Sequence, residues 1–81
     1  MAHYFFHIDD GEFLPDREGV ELPDLAVARR EALKMSGAML RELDSQFWTG
    51  GPWRMHVHDA DNSPLFTLEF SALDPGAAVL G

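Results

Sequence analysis

The chain contains no cysteine, few basic residues and no long hydrophobic run, and each absence excludes a class of protein. Without cysteine there is no disulfide framework, no thiol nucleophile and no thiolate metal site. Small secreted domains often depend on disulfides, so we expect a reducing compartment, the cytoplasm. No apolar stretch approaches the roughly 20 residues that a membrane-spanning helix needs, and the N-terminus lacks the features of a secretory signal. The sequence therefore predicts a cytoplasmic protein without membrane contact.

Basic residues are strongly outnumbered. Six lysines and arginines stand against fourteen acidic residues, which gives a formal net charge of -8. Binding to a phosphate backbone needs clustered Lys and Arg, so we expect no nucleic-acid partner. A charge of this sign and size favours solubility and also suits docking onto a basic partner. An acidic mimic of nucleic acid, with carboxylates spaced along one surface, is a further hypothesis.

The apolar content is sufficient for a small core. The 81 residues are 46% hydrophobic, close to the globular average, and leave room for one domain. We assign residues 1–72 to a single domain. Residues 73–81, which end in an Ala- and Gly-rich stretch, are predicted to form a flexible C-terminal tail.

Two pairs of strands are predicted, one at each end of the domain. Residues 3–9 alternate between two faces and lead through a turn signal, Asp9-Asp10-Gly11, to a short return strand at residues 12–14. Residues 53–58 alternate again, and a polar loop joins them to a last strand at residues 65–70. We expect each pair to form an antiparallel hairpin.

A helix is predicted between the hairpins, over residues 25–43, which are rich in Ala, Leu, Arg, Glu and Met. Asp24 is the expected N-cap. Gly37, inside the helix, is predicted to allow close packing. One stripe of the helix is apolar, at three- and four-residue spacing: Leu25, Ala28, Ala32, Met35, Met39 and Leu43.

These elements predict an α+β protein in β-β-α-β-β order, with a small antiparallel sheet of three or four strands and one helix packed on one face. Trp48 and Trp53 are expected to cap the core. On the core face the sheet would present Tyr4, Phe6, Ile8, Trp53, Met55, Val57, Phe66, Leu68 and Phe70. On the other face it would present His3, Phe5, His7, Arg54, His56, His58, Thr67 and Glu69.

Several short motifs carry a family resemblance. They are Tyr4-Phe5-Phe6-His7, Asp10-Gly11, Glu18-Gly19-Val20-Glu21-Leu22-Pro23-Asp24, the Ala/Arg/Glu-rich start of the helix, and Leu65…Leu68-Glu69-Phe70. Over residues 3–70 the chain resembles an uncharacterised family of short bacterial proteins of unknown function. The resemblance implies a bacterial, cytosolic protein and supplies no activity, cofactor or catalytic residue. His56 and His58 match no fixed histidine of that family, so no family-wide role is implied for them.

The histidines are the most distinctive candidates for chemistry. His3, His7, His56 and His58 would line one open face if their two strands are neighbours. Imidazole binds zinc, copper and nickel, so this face is the candidate for metal or small-ligand binding. A zinc site needs three or four ligands within roughly 2.0–2.1 Å of the metal, and flat sheet faces rarely converge side chains so tightly. Scattered surface histidines are the competing interpretation.

Motifs for catalysis are missing from the sequence. There is no phosphate-binding glycine loop, serine elbow or triad context. The loop at residues 59–63 begins like a calcium-binding loop, but Pro64 and Phe70 occupy the positions that need glycine and glutamate. We therefore predict a protein that is not an enzyme and that has no cofactor.

Phe5 and Phe13 are the candidate interface residues, because both are expected on the open face or its edge, where exposed apolar area often marks a contact. The leading hypothesis is a small non-enzymatic binding or regulatory module that acts through protein–protein contacts, as a homodimer or with another protein. The alternative is a metal- or small-ligand-binding protein that uses the histidine face. A small enzyme is a weaker hypothesis.

Overall fold

A computed structural model describes residues 1–73 and has a five-stranded antiparallel sheet with one long helix on one face. In chain order the elements are strands β1 (Ala2–Asp9), β2 (Phe13–Leu14) and β3 (Val20–Leu22), helices α1 (Leu25–Leu43) and α2 (Gln46–Thr49), and strands β4 (Trp53–Asp59) and β5 (Pro64–Phe70). The predicted α+β architecture is confirmed. The sequence does not predict β3 and α2, so the observed order is β-β-β-α-α-β-β. Apart from Leu73, the predicted tail lies outside the described residues.

Strands β1 and β4 form the centre of the sheet. They are antiparallel neighbours from Tyr4 opposite Asp59 to Asp9 opposite Arg54, and β5 pairs with the other side of β4. The outer side of β1 is shared between two short strands. β3 pairs with residues 2–4 and β2 with residues 8–9, which leaves the middle of β1 unpaired by a strand on that side.

The core lies between α1 and one face of the central strands. Alternation along β1 and β4 buries every second side chain, as the period of a strand requires. Residues Phe66, Leu68 and Phe70 of β5 pack against this core as predicted, but they stay partly exposed because β5 is the outermost strand. The buried hydrophobic residues are Tyr4, Phe6, Ile8, Ala28, Ala32, Trp53, Met55 and Val57.

Helix α1 begins as predicted, with Oδ1 of Asp24 accepting a hydrogen bond of 3.0 Å from the backbone N–H of Val27. Its fully buried residues are all small: Ala28, Ala32 and Ser36. Met39 is 39% exposed, although it lies on the same side of the helix as the buried Ala28 and Ala32. It borders an open depression shared with the end of the sheet, so the predicted burial of Met39 is wrong.

The two tryptophans have different environments. Trp53 is buried at the end of the core, as predicted, whereas Trp48 in α2 is 64% exposed and does not cap it. Both helices lie in residues 1–73, and neither is long and apolar enough to cross a membrane.

Gly37 lies on an exposed part of α1, and no atom is within 4 Å of the place that a Cβ would occupy. The predicted close packing is therefore wrong, and nothing offsets the entropic cost of glycine inside a helix. We expect Gly37→Ala to raise the free energy of unfolding by about 0.5–1 kcal/mol, measured by urea denaturation. Ala38→Gly, at the next exposed position, should lower it by a similar amount. Destabilisation by Gly37→Ala would contradict this account.

Candidate functional site

The sheet face opposite α1 carries a group of neighbouring rings that no described element covers. We define the ring row as His3, Phe5, His7, Phe13 and His58. Ring centroids along it are 5.0 Å apart for His3 and Phe5, 6.3 Å for Phe5 and His7, and 5.7 Å for His7 and Phe13. The His58 ring lies edge-on to His7 at 4.8 Å. Four of these five residues come from two neighbouring strands, and Phe13 comes from β2.

The ring row follows from alternation and register. Odd-numbered residues of β1 face away from the helix, because Tyr4, Phe6 and Ile8 occupy the core face. Phe5 lies opposite His58 in the β1–β4 ladder, which brings rings of both strands together. The predicted placement of all four histidines on one face is thus confirmed.

His3 is held at one end of the ring row. Its Nε2 donates to the backbone carbonyl of Glu18 at 2.7 Å, and its Nδ1 lies 3.9 Å from the carboxylate of Glu21. Gly19 has a φ of 68° and passes directly beside the ring, so that a Cβ there would come within 2.6 Å of Nε2 and 2.8 Å of the Tyr4 carbonyl. Only glycine allows this approach.

The two histidines of β4 are also anchored by neighbouring side chains. Nδ1 of His56 lies 2.9 Å from Oγ1 of Thr67, its partner across the β4–β5 ladder. Nδ1 of His58 lies 3.0 Å from Oδ1 of Asn62 in the following loop. Because an amide oxygen only accepts, Nδ1 of His58 donates this hydrogen bond.

His7 occupies the middle of the ring row and accepts a hydrogen bond from the backbone. The N–H of Asp16 donates to its Nδ1 at 3.0 Å. An amide nitrogen cannot accept, so Nδ1 is unprotonated and the neutral ring carries its proton on Nε2. Protonating His7 at Nδ1 would therefore break this hydrogen bond.

Asp16 fills the gap that β2 and β3 leave along β1. Its Oδ2 accepts from the N–H of Phe6 at 3.1 Å, where no strand pairs with β1. Its Oδ1 accepts from Glu18 at 3.1 Å and Gly19 at 3.0 Å. We call Asp16 with these bonds and the bond to His7 the Asp16 latch. It holds residues 15–19 against the edge of the sheet.

Both titratable members of the latch have lowered pKa values. Burial is the main reason that the pKa of His7 lies below 6.5, and the neighbouring His58 and His56 lower it further, while Asp16 opposes them. Burial alone would raise the pKa of Asp16, but N–H donors from Gly19, Phe6 and Glu18, together with His7, outweigh it and bring it below 3.8. The latch is thus formed by a neutral imidazole and an ionised carboxylate.

Among the described residues, the histidine face has no group of side chains arranged like the ligands of a metal ion. Within residues 1–73, no three His, Asp or Glu side chains are grouped so that they could hold a metal ion. His7 and His58 are adjacent, whereas His3 is bound to the β3 side and His56 to Thr67. The geometry therefore offers ring surfaces and single hydrogen-bonding atoms rather than a ligand set.

The predicted interface residues lie where expected. Phe5 is half-buried in the ring row, and Phe13, 56% exposed, extends the row beyond the edge of β1. Sequence reasoning missed Asp16, because its partners Phe6 and His7 are ten and nine residues away. The one available signal was Asp16 followed by Gly19, a spacing typical of side-chain-bonded turns.

Comparison with known proteins identifies a family without a known role. The family model for a domain of unknown function, DUF6894, matches residues 3–71, so the predicted resemblance to an uncharacterised family is confirmed. No curated protein and no solved structure matches the chain. The matched residues include the complete ring row and the Asp16 latch. The chain belongs to the family described as Domain of unknown function (DUF6894).

Proposed function

We propose that this domain is a small non-enzymatic binding module that works through protein contacts on its open sheet face, with a second copy of the same chain as the partner. The observation that carries the proposal is the ring row, a contiguous set of aromatic and imidazole rings on a face that no described element covers. Exposed apolar and aromatic area of this kind is enriched at protein interfaces.

Charge favours this face for self-association. The chain has a formal net charge of -8, so two copies repel each other over most of their surfaces. The lowered pKa of His7 keeps this ring neutral near pH 7. Arg54 and Glu69, also on this face, are paired with each other. The carboxylates of Asp16 beside His7 and Glu21 beside His3 lie at the border of this face, so the repulsion between two copies is reduced over the rings but not abolished.

The area of the open face fits a dimer of moderate affinity. The eight residues of β1 extend about 26 Å, and four strand positions span about 19 Å. One copy thus contributes roughly 500 Å² in projection, and two copies about 1,000 Å², at the lower limit for a specific interface. We expect dissociation in the micromolar range.

Sedimentation equilibrium across a salt series tests this proposal. We expect a dimer at micromolar concentrations that strengthens with added salt, since screening reduces the repulsion but not the apolar contact. Phe13→Asp and Phe5→Asp should each weaken the dimer at least tenfold without unfolding the monomer. Leu33→Asp is the matched control, because Leu33 is 59% exposed on α1 and gains the same charge away from the face.

Two results would count against the dimer. One is a strict monomer at high protein concentration and high salt, which would leave another protein as the partner of the face. The other is equal weakening by Leu33→Asp and Phe13→Asp, which would place the contact elsewhere. The alternative role, metal or small-ligand binding, is supported only by the contact between His7 and His58.

A further inference from the structure

A groove lies at one end of the molecule, on the helix side of the sheet, which is the face opposite the ring row. Two adjoining depressions of about 300 and 390 Å³ form it and share Asp10, Leu43 and Trp53. Each has a size at which ligand-binding clefts occur, about 300–1,000 Å³. The groove runs between the second half of α1, the start of α2 and the β1–β2 turn.

The floor of the groove is apolar and incompletely filled. Phe47, Leu43 and Trp53 line it, and all three belong to the core or pack against it. Met39 occupies a sheet-facing position of α1 but is 39% exposed, and Leu14, across the groove on β2, is 48% exposed. An apolar side chain placed between Met39 and Leu14 would bury surface that the domain itself leaves open.

The rim of the groove is acidic. Asp10, Glu12 and Glu42 line the two depressions, and no Lys, Arg or His among residues 1–73 does. Carboxylates around an apolar floor attract a cation, which gains from charge pairing at the rim. The same arrangement repels an acidic or phosphorylated ligand.

We propose that this groove binds a basic, amphipathic peptide segment of a partner protein, with a large apolar side chain between Met39 and Leu14 and a Lys or Arg at the carboxylate rim. The argument is charge complementarity combined with unfilled apolar space. A purely apolar ligand leaves the three carboxylates without a cationic partner, and a purely cationic one leaves Met39 and Leu14 exposed. The site is separate from the ring row, so the proposal stands whether or not the domain dimerises.

Calorimetric titration with three matched peptides tests the groove. The probes are Ac-Leu-Arg-Leu-Arg-Leu-NH2, its Gln analogue without charge, and Ac-Ser-Arg-Ser-Arg-Ser-NH2 without apolar side chains, each at physiological salt. We expect the first to bind with micromolar to submillimolar affinity and the other two at least tenfold more weakly. Glu42→Gln and Glu12→Gln should each weaken the first peptide several-fold.

Glu21→Gln provides the control, because Glu21 is an exposed carboxylate on β3 and does not line the groove. Equal weakening by Glu21→Gln and Glu42→Gln would mean non-specific attraction to an acidic protein and would overturn the proposal. Equal affinity for the two arginine peptides, equal affinity for the leucine peptides with Arg and Gln, or no binding by any peptide would overturn it as well. Circular dichroism of each variant confirms that the fold is retained.

Discussion

Replacing Met55 by alanine is expected to lower the free energy of unfolding by about 2–5 kcal/mol, the usual cost of removing a buried long side chain. Met55 lies in the middle of β4 with no exposed surface, and its sulfur lies 3.7 Å from the hydroxyl of the buried Ser36 on α1. It therefore connects the sheet to the helix. A domain of this length has a total stability of only about 4–12 kcal/mol, so the loss is a large fraction of it.

Urea denaturation followed by far-UV circular dichroism measures this loss. Met39→Ala is the matched control, since it removes the same atoms at a position that is 39% exposed, and it should cost clearly less. Met55→Leu keeps most of the volume and should cost less than about 1.5 kcal/mol. If Met55→Ala and Met39→Ala were equally mild, the packing of α1 on β4 would be wrong.

The second large effect on stability is expected from removing the carboxylate of the Asp16 latch. We expect Asp16→Ala to lower the free energy of unfolding by about 1–3 kcal/mol at pH 7.5, because the N–H groups of Phe6, Glu18 and Gly19 lose a charged acceptor. Asp16 is partly exposed, so water compensates in part. Asp61→Ala, at an exposed aspartate in the β4–β5 loop, is the control and should have little effect.

The pH profile of unfolding gives an independent readout of the latch. The pKa of His7 is lowered from 6.5, so the unfolded chain takes up the proton first, and stability falls as the pH drops below 6.5 until the folded pKa is reached. The pKa of Asp16 is lowered from 3.8, so its contribution is complete above that value and is lost as the pH falls through the folded pKa. Asp16→Ala should abolish this second loss. An unchanged profile below pH 4 in Asp16→Ala would show that the carboxylate does not act as described.

The parts of the fold that could be predicted are those encoded in local periodicity. Alternation in β1 and β4 assigned every side chain to its correct face, and Asp24 marked the start of α1. β3 escaped prediction because three residues are too few to show a period. Met39 and Gly37 were misassigned because helical spacing shows which side a residue faces but not how far the sheet extends beneath it.

The residues of the candidate site could be predicted from the sequence, but the hydrogen bonds that hold them could not. The sequence placed His3, Phe5 and His7 on one face, since a strand needs only its period to do so. The hydrogen bond that fixes the tautomer of His7 comes from the backbone N–H of Asp16, in a loop that returns to β1 after β2. Such a contact arises only when the chain has folded, and no local pattern encodes it.

The two edges of the sheet are built differently, and this difference limits how the domain can polymerise. Along the outer side of β1, two short strands and the Asp16 carboxylate engage the backbone, whereas among the described residues β5 has no strand on its outer side. The edge beyond β1 is formed by β2 and β3, of two and three residues, which offer a further strand little backbone to pair with. Two copies joined β5 to β5 across a twofold axis would therefore leave only these short strands at the outer edges of the shared sheet. Short outer strands disfavour further strand addition, which protects a small, aromatic-rich α+β protein against aggregation.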